Sequence, residues 1–355
     1  MKHTTQHYRT RCVKVFPRLE SIAREVEEVY GQEDVRIVTP LAPRYVEALS
    51  ASVPQLDGVS DVDSFLLRML TDPENRELGF SVLFSPELID ESCQKGLFPL
   101  ACKVLHEYIY APKLHVQRCL VWLKPEVCGL SVNNSGEGTL NIEKFHVSKK
   151  YLRGRCDKAR GVSFDVFVNR EEDVVPILSL IHAQHGENWF CRSMRACFVY
   201  MFMNSGRYRT KVVFTAVRRH RYDVDSGTEK SSEPPSLADR TDGECIAEGD
   251  LVAAEVGFLV GDIYSSATGA YCASGAGTAQ LAVVAEIMRA VGCSVWDLGM
   301  NLPYKKEVLG CVSLPRAQWL QLVSERANDR SVSEAIDGQL RERYSSGVSL
   351  RSLLK

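Results

Sequence analysis

Two carboxylates stand out because their surroundings are apolar. Asp297 stands within the apolar run Val295-Trp296-Asp297-Leu298, and Glu255 interrupts Leu251–Phe258. A carboxylate fixed on a buried strand can orient or deprotonate an amine. The plainer alternatives are an Asp297 that caps the next turn and a Glu255 that is a satisfied core acid. Gly275 and Gly277 precede a helix, where backbone N–H groups receive phosphate or a developing oxyanion; a tight turn for close packing is the alternative. Gln280 stands where a dinucleotide fingerprint has its third glycine, which argues against that fingerprint. Trp189 and Trp122 offer aromatic faces for an unpaired base; the alternative for both is core packing, which Trp122 suits better because it sits in an apolar strand. Phe98 and Met194 would line an apolar pocket or fill a core. Lys149, Lys150, Arg153 and Arg155 form a basic turn suited to phosphates or to solvent.

These groups belong to a chain of 355 residues, 45% hydrophobic and 25% charged, with room for two domains. The formal charge of -2 conceals local asymmetry. Lys144–Arg160 has seven basic residues against one acid, and Arg192–Tyr222 has eight and none. Asp223–Asp250 then has nine acids against two bases. A nucleic-acid partner is compatible with that pattern, because phosphate binding needs only a local basic patch. The 12 cysteines include no C-x-x-C pair and most lie in apolar runs, which predicts packing thiols in a reducing compartment and no zinc site. No apolar run reaches the roughly 20 residues of a membrane span. The expectation is a cytoplasmic protein away from membranes.

The elements that must position the chemistry can be read from punctuation. Residues 1–16 are polar and read as loose. Pro17 opens a helix with Leu19, Ile22, Val26 and Val29 on one face. Ser60–Leu70 reads as a helix and Gly79–Phe84 as a strand. Ser85-Pro86-Glu87 caps a helix that runs to Gln94 and stops at Gly96. Leu114–Leu123 and Val127–Val132 alternate like paired strands, and Ser135–Gly138 reads as a linker. The second half reads β-α-α-β-β-β-α-β. Its elements are Ser163–Asn169, Asp173–His185, Trp189–Met203, Lys211–Arg221, Leu251–Phe258, Gly261–Ala267, Thr278–Val291 and Cys293–Leu298. Asp223–Asp250 reads as a disordered insertion. The expected fold class is α+β: a small N-terminal α/β domain over residues 17–138 and a mixed, mostly antiparallel sheet with flanking helices over 139–323. A helical or flexible tail over 324–355 follows.

Four segments, in order, resemble the leucyl/phenylalanyl-tRNA–protein transferases in a divergent, eukaryotic-type form. They are Leu83–Ile89 with Gly96–Pro99, Phe145–Arg153, Asn188–Phe190 with the Met194–Tyr200 helix, and Leu259–Gly261 through Tyr264 and Gly269 to Asp297, Leu309-Gly310 and Pro315-Arg316. The resemblance implies a GNAT-type acyltransferase sheet. It implies transfer of leucine, phenylalanine or a similar residue from charged tRNA to the N-terminal amine of proteins that begin with a basic residue. Asp297 would then assist the amine with Glu255 as substitute, and Trp189, Trp122, Phe98 and Met194 would form the substrate pocket. The Lys149–Arg155 turn would touch tRNA, and Gly275 and Gly277 would supply the phosphate or oxyanion turn. Gly299 stands at the family's glutamine, and Ala273–Gly277 stands where the family has a glutamate-bearing turn. The expected protein is a monomer whose co-substrate is aminoacyl-tRNA, with no cofactor. The alternatives are an N-acyltransferase using acetyl-coenzyme A and a non-catalytic tRNA or N-terminus binding protein.

Overall fold

The computed structural model describes residues 19–124, 147, 161–222 and 250–354. The basic turn Lys149–Arg155, the expected strand Val127–Val132, the linker Ser135–Gly138 and nearly all of the acidic insertion lie outside the described residues.

The N-terminal part is helical with short strands: α1 (residues 19–30), β1 (Ile37–Val38), α2 (Pro43–Ser50), α3 (Val62–Thr71), β2 (Leu83–Phe84) and α4 (Pro86–Gln94). The periodic face of α1 is real, for Ile22, Val26 and Val29 are all buried. At α4 the expected cap forms. The Ser85 Oγ accepts the Leu88 N–H at 3.1 Å, and Pro86 supplies the first turn without wasting a donor. Gly96 takes φ +79 after that helix, and Trp319 and Leu320 stand 3.0 and 3.1 Å from where its Cβ would lie. A side chain there would meet both the backbone and the neighbours. A hairpin of β3 (Ala101–Val104) and β4 (Glu107–Tyr110) follows.

The rest is built on one eight-stranded sheet. Its strands are β5 (Gln117–Trp122), β6 (Gly161–Val168), β7 (Lys211–Tyr222), β8 (Asp250–Val260), β9 (Ile263–Tyr271), β10 (Val295–Met300), β11 (Val312–Pro315) and β12 (Val348–Ser349). The order across the sheet is β11-β5-β10-β9-β8-β7-β6-β12. Among the described residues, β9 and β10 are its one parallel pair, joined by helix α7 (Ala276–Ala290); every other neighbour is antiparallel. The class is therefore α+β, as the sequence suggested.

Strand alternation divides the core between two faces. Phe214, Ala216, Ala254, Val256 and Phe258 pack with α5 (Val174–His185), α6 (Arg192–Met203), α9 (Arg316–Ala327) and the N-terminal helices. Val213, Val217, Ala253, Leu259 and Trp296 pack on the other side with α7 and α10 (Arg330–Tyr344). The short helices α8 (Pro303–Leu309) and α11 (Leu350–Leu353) complete the chain.

Two findings redraw the expected domains. Strand β5 precedes the linker, yet it lies inside the sheet between β11 and β10. The tail is equally committed: β12 pairs with β6, and Ile336, Leu340, Tyr344 and Leu350 are buried. Local boundaries also moved. The helix expected from Trp189 starts at Arg192, because Asn188 turns the chain by accepting the Phe190 N–H at 2.9 Å. No helix among the described residues is long and apolar enough to cross a membrane.

Candidate active site

The parallel strands β9 and β10 stay paired for three residues, Ile263–Ser265 against Val295–Asp297, and then part. Strand β9 continues along β8, while β10 continues along β5. The gap between them is a cavity of about 530 Å³. Its wall includes Glu255 from β8, Ser266, Gly269 and Tyr271 from β9, Gly275, Gly277 and Gln280 around the start of α7, and Leu298 and Lys305 beyond.

Glu255 is 2% exposed and held by three neutral donors. Its Oε1 accepts from the Tyr264 hydroxyl at 2.7 Å and the Ser266 hydroxyl at 2.6 Å, and its Oε2 accepts from the Gln280 side-chain amide. Burial pushes its carboxyl up to about 6, with the bonds from Ser266, Tyr264 and Gln280 pulling the other way. A buried, shifted carboxylate without a cationic partner on a cavity wall is a catalytic candidate on physical grounds. Gly257 makes the cluster possible, because a Cβ there would lie 2.3 Å from the Tyr264 hydroxyl oxygen. The Trp296 indole donates to Ser266 Oγ at 2.9 Å, extending the cluster to β10.

The glycine turn meets this cavity. Gly275 adopts φ +76, which favours glycine, and begins the fifteen-residue α7. Gly277 leaves room for the Tyr271 ring, which would stand 2.8 Å from an added Cβ. The positive end of α7 therefore borders the cavity beside Glu255, where it would favour a developing negative charge. Lys305 Nζ donates to the Leu298 and Met300 carbonyls, and burial holds its pKa below the usual range.

Asp297 belongs to the opposite face. It is fully buried in a bidentate ion pair with Arg118, with Nε to Oδ1 at 3.1 Å and a second contact from Nη2 to Oδ2. Ser265 Oγ and the Gly299 N–H complete its shell at 2.7 and 2.8 Å. Arg118 also donates to His115 Nδ1 at 2.7 Å and lies between the Phe98 and Trp319 rings, 5.3 and 4.7 Å from their centroids. Burial first, and Arg118 second, push His115 down to about 2, so its ring is neutral and accepts that bond. Adjacent residues on a strand point to opposite faces, so Trp296 reaches the Glu255 cluster while Asp297 cannot.

The residues expected to act together are thus divided. Glu255, Gly275 and Gly277 share the cavity. Phe98, Trp122, Met194 and half-buried Trp189 pack with the core on Asp297's side, where Trp189 contacts Phe98 at 5.7 Å. Trp122 is 1% exposed, which fits the core alternative and not a base-stacking platform; its indole nitrogen has no hydrogen-bond partner among the described residues. Ser266, Gln280, Trp296, Lys305 and Arg118 were not singled out as site residues. For Ser266 the reason is a bulge: the β8–β9 register slips between Val256/Thr268 and Gly257/Ser266, with Ala267 the extra residue. That slip turns Tyr264 and Ser266 to the same face as Gly269 and Tyr271, a parity no alternation pattern contains. Comparison with protein-family models and with curated proteins finds no match to this chain, so the residues themselves must carry the functional reading.

Proposed function

We propose that this chain transfers an aminoacyl group from charged tRNA to the α-amine of an acceptor protein or peptide that begins with a basic residue. The observation that carries the reading is Glu255: a buried carboxylate with raised proton affinity, on the wall of a cavity that also meets a helix's positive end. An aminoacyl ester is already activated, so no covalent nucleophile is required. The amine nitrogen bonds to the ester carbonyl carbon and the bond to the ribose oxygen breaks. Glu255 accepts the amine's proton, which the leaving ribose hydroxyl then takes. The start of α7 stabilises the oxyanion between these steps. Asp297 takes no proton in this scheme; with Arg118 it fixes the end of β10.

The choice of donor rests on the cavity's charge. Among the described lining residues Lys305 is the one cation, and its ammonium is engaged by two backbone carbonyls. That lining suits a neutral nucleoside ester with its phosphates outside better than the pyrophosphate of coenzyme A. Acetyl transfer from coenzyme A is the second reading, favoured by the glycine turn that opens α7 between two diverging parallel strands.

The test mixes the purified protein with leucyl-tRNA, acetyl-coenzyme A and a peptide beginning with Arg or Lys, and reads the peptide mass. The expected product carries leucine, and Glu255→Gln slows its formation by about 10²-fold or more. The rate should rise as pH passes through about 6, where Glu255 ionises, and level off above. An acetylated peptide would move the reaction to coenzyme A. An unchanged peptide with salt-sensitive tRNA retention would make the protein a binding module.

A further inference from the structure

We infer that Trp296 is a positioning residue: it forces the Ser266 proton onto Glu255 Oε1 and so leaves Oε2 as the oxygen that meets the substrate amine. The inference rests on Glu255 as the base.

An indole N–H can only donate, and a serine hydroxyl has one proton. Trp296 Nε1 lies 2.9 Å from Ser266 Oγ, so Ser266 accepts there and its own proton must go elsewhere. The acceptors facing it are Glu255 Oε1, at 2.6 Å, and the Tyr264 hydroxyl oxygen, and of the two the carboxylate is the stronger acceptor. The Tyr264 hydroxyl takes the second site on Oε1 at 2.7 Å. A carboxylate has about four acceptor sites, two on each oxygen. With Gln280 on Oε2, three are filled and the remaining one is on Oε2. Without the indole, Ser266 could turn its hydrogen away and present a lone pair to the carboxylate. Glu255 would then hold its proton more tightly.

Among the described residues, the groups facing Glu255 are few. Tyr264 and Ser266 come from β9, Gln280 from α7, and Thr215 lies directly across on β7. Tyr271 and Lys305 are the other ionisable groups on the cavity wall. Trp296 donates its indole hydrogen bond to Ser266 and is not among the residues lining the cavity, so its loss should act on proton affinity and not on substrate contact.

The chain's four tryptophans give four indole N–H signals, which makes the test direct by NMR. In the wild-type protein the Trp296 signal should move with pH at the same midpoint as the Glu255 side-chain carboxyl carbon. In Ser266→Ala that co-titration should vanish and the Glu255 midpoint should rise by about half to one unit. Trp296→Phe should raise the midpoint similarly, and the double variant should go no further than Ser266→Ala alone. A midpoint unmoved in Trp296→Phe, or additive shifts in the double variant, would overturn the inference. Trp296 is fully buried, so if that variant does not fold, the wild-type and Ser266→Ala titrations decide. A Trp296 signal that ignores Glu255 ionisation in the wild type sinks the proposal. None of these readouts needs turnover. Full peptide transfer by Glu255→Gln would instead remove the catalytic reading and leave the hydrogen-bond assignment standing.

Discussion

Two buried carboxylates, on strands β8 and β10 to either side of β9, have opposite environments, and the difference can be measured. Asp297 has a guanidinium, a hydroxyl and a backbone N–H; Glu255 has three neutral donors and a cavity. Removing Arg118 would leave Asp297 as an uncompensated buried charge. Arg118→Ala should therefore cost about 3–5 kcal/mol in urea unfolding. Arg118→Ala paired with Asp297→Ala should recover part of that loss. Glu255 predicts a pH effect of the opposite kind. The folded chain holds its proton to about 6 against an ordinary value of 4.5. Its contribution, about 2 kcal/mol, is present below 4.5 and lost as pH rises through 6. His115 runs the other way. It stays neutral in the fold down to about 2 against an ordinary 6.5, so its contribution is present above 6.5 and lost as pH falls. Between 6 and 4.5 the two offset each other. Glu255→Gln should thus steepen the acid loss of stability by about 1 kcal/mol per pH unit in that window, read from urea midpoints. Equal slopes in variant and wild type would contradict the assigned protonation of Glu255.

Strand β8 and its bulged partner β9 decide what was legible in the sequence. The Ser85 cap, the Gly275 turn and the apolar strand around Glu255 were readable because each depends on residues adjacent in the chain. The Glu255 cluster was not, because it needs the Val256/Gly257 register slip and a glycine that yields space to Tyr264. Asp297 misled for a related reason: a carboxylate ending a strand looks the same whether it faces a substrate or an arginine 179 positions away. The element itself can be tested at Gly257. A Cβ there would stand 2.3 Å from the Tyr264 hydroxyl oxygen and 2.7 Å from the Ser265 carbonyl. Gly257→Ala should lower stability by about 1–3 kcal/mol through overpacking. It should also displace Tyr264 from Glu255 and raise the Glu255 midpoint in the same titration. An alanine accommodated without either change would show that the β8–β9 spacing is looser than drawn.

At the scale of the molecule, the sheet order joins segments that the sequence suggested were separate. An interior position is filled by β5, from before the linker, and an edge by β12, from the tail. Arg316 adds side-chain ties across the same divide, donating to the Met69, Arg76 and Leu114 carbonyls and to Asn75 Oδ1. The tail contributes more than one strand: Asp337 accepts from Asn169 at 2.9 Å, Glu334 pairs with Lys211, and Ile336, Leu340 and Tyr344 cover the α7 face. Such pairings make the cavity dependent on the whole chain, since β10, which forms one wall, is held on its outer side by β5. The full chain should therefore unfold in one transition, with tryptophan fluorescence and far-ultraviolet circular dichroism giving coincident curves. Residues 139–323 expressed alone would lack both β5 and β12, exposing the β10 backbone around Trp296 along one edge and the β6 backbone along the other. That piece should show no cooperative melt. A sharp transition from it, or two separated transitions in the full chain, would mean that the sheet folds without these segments and that the site is assembled by a smaller unit.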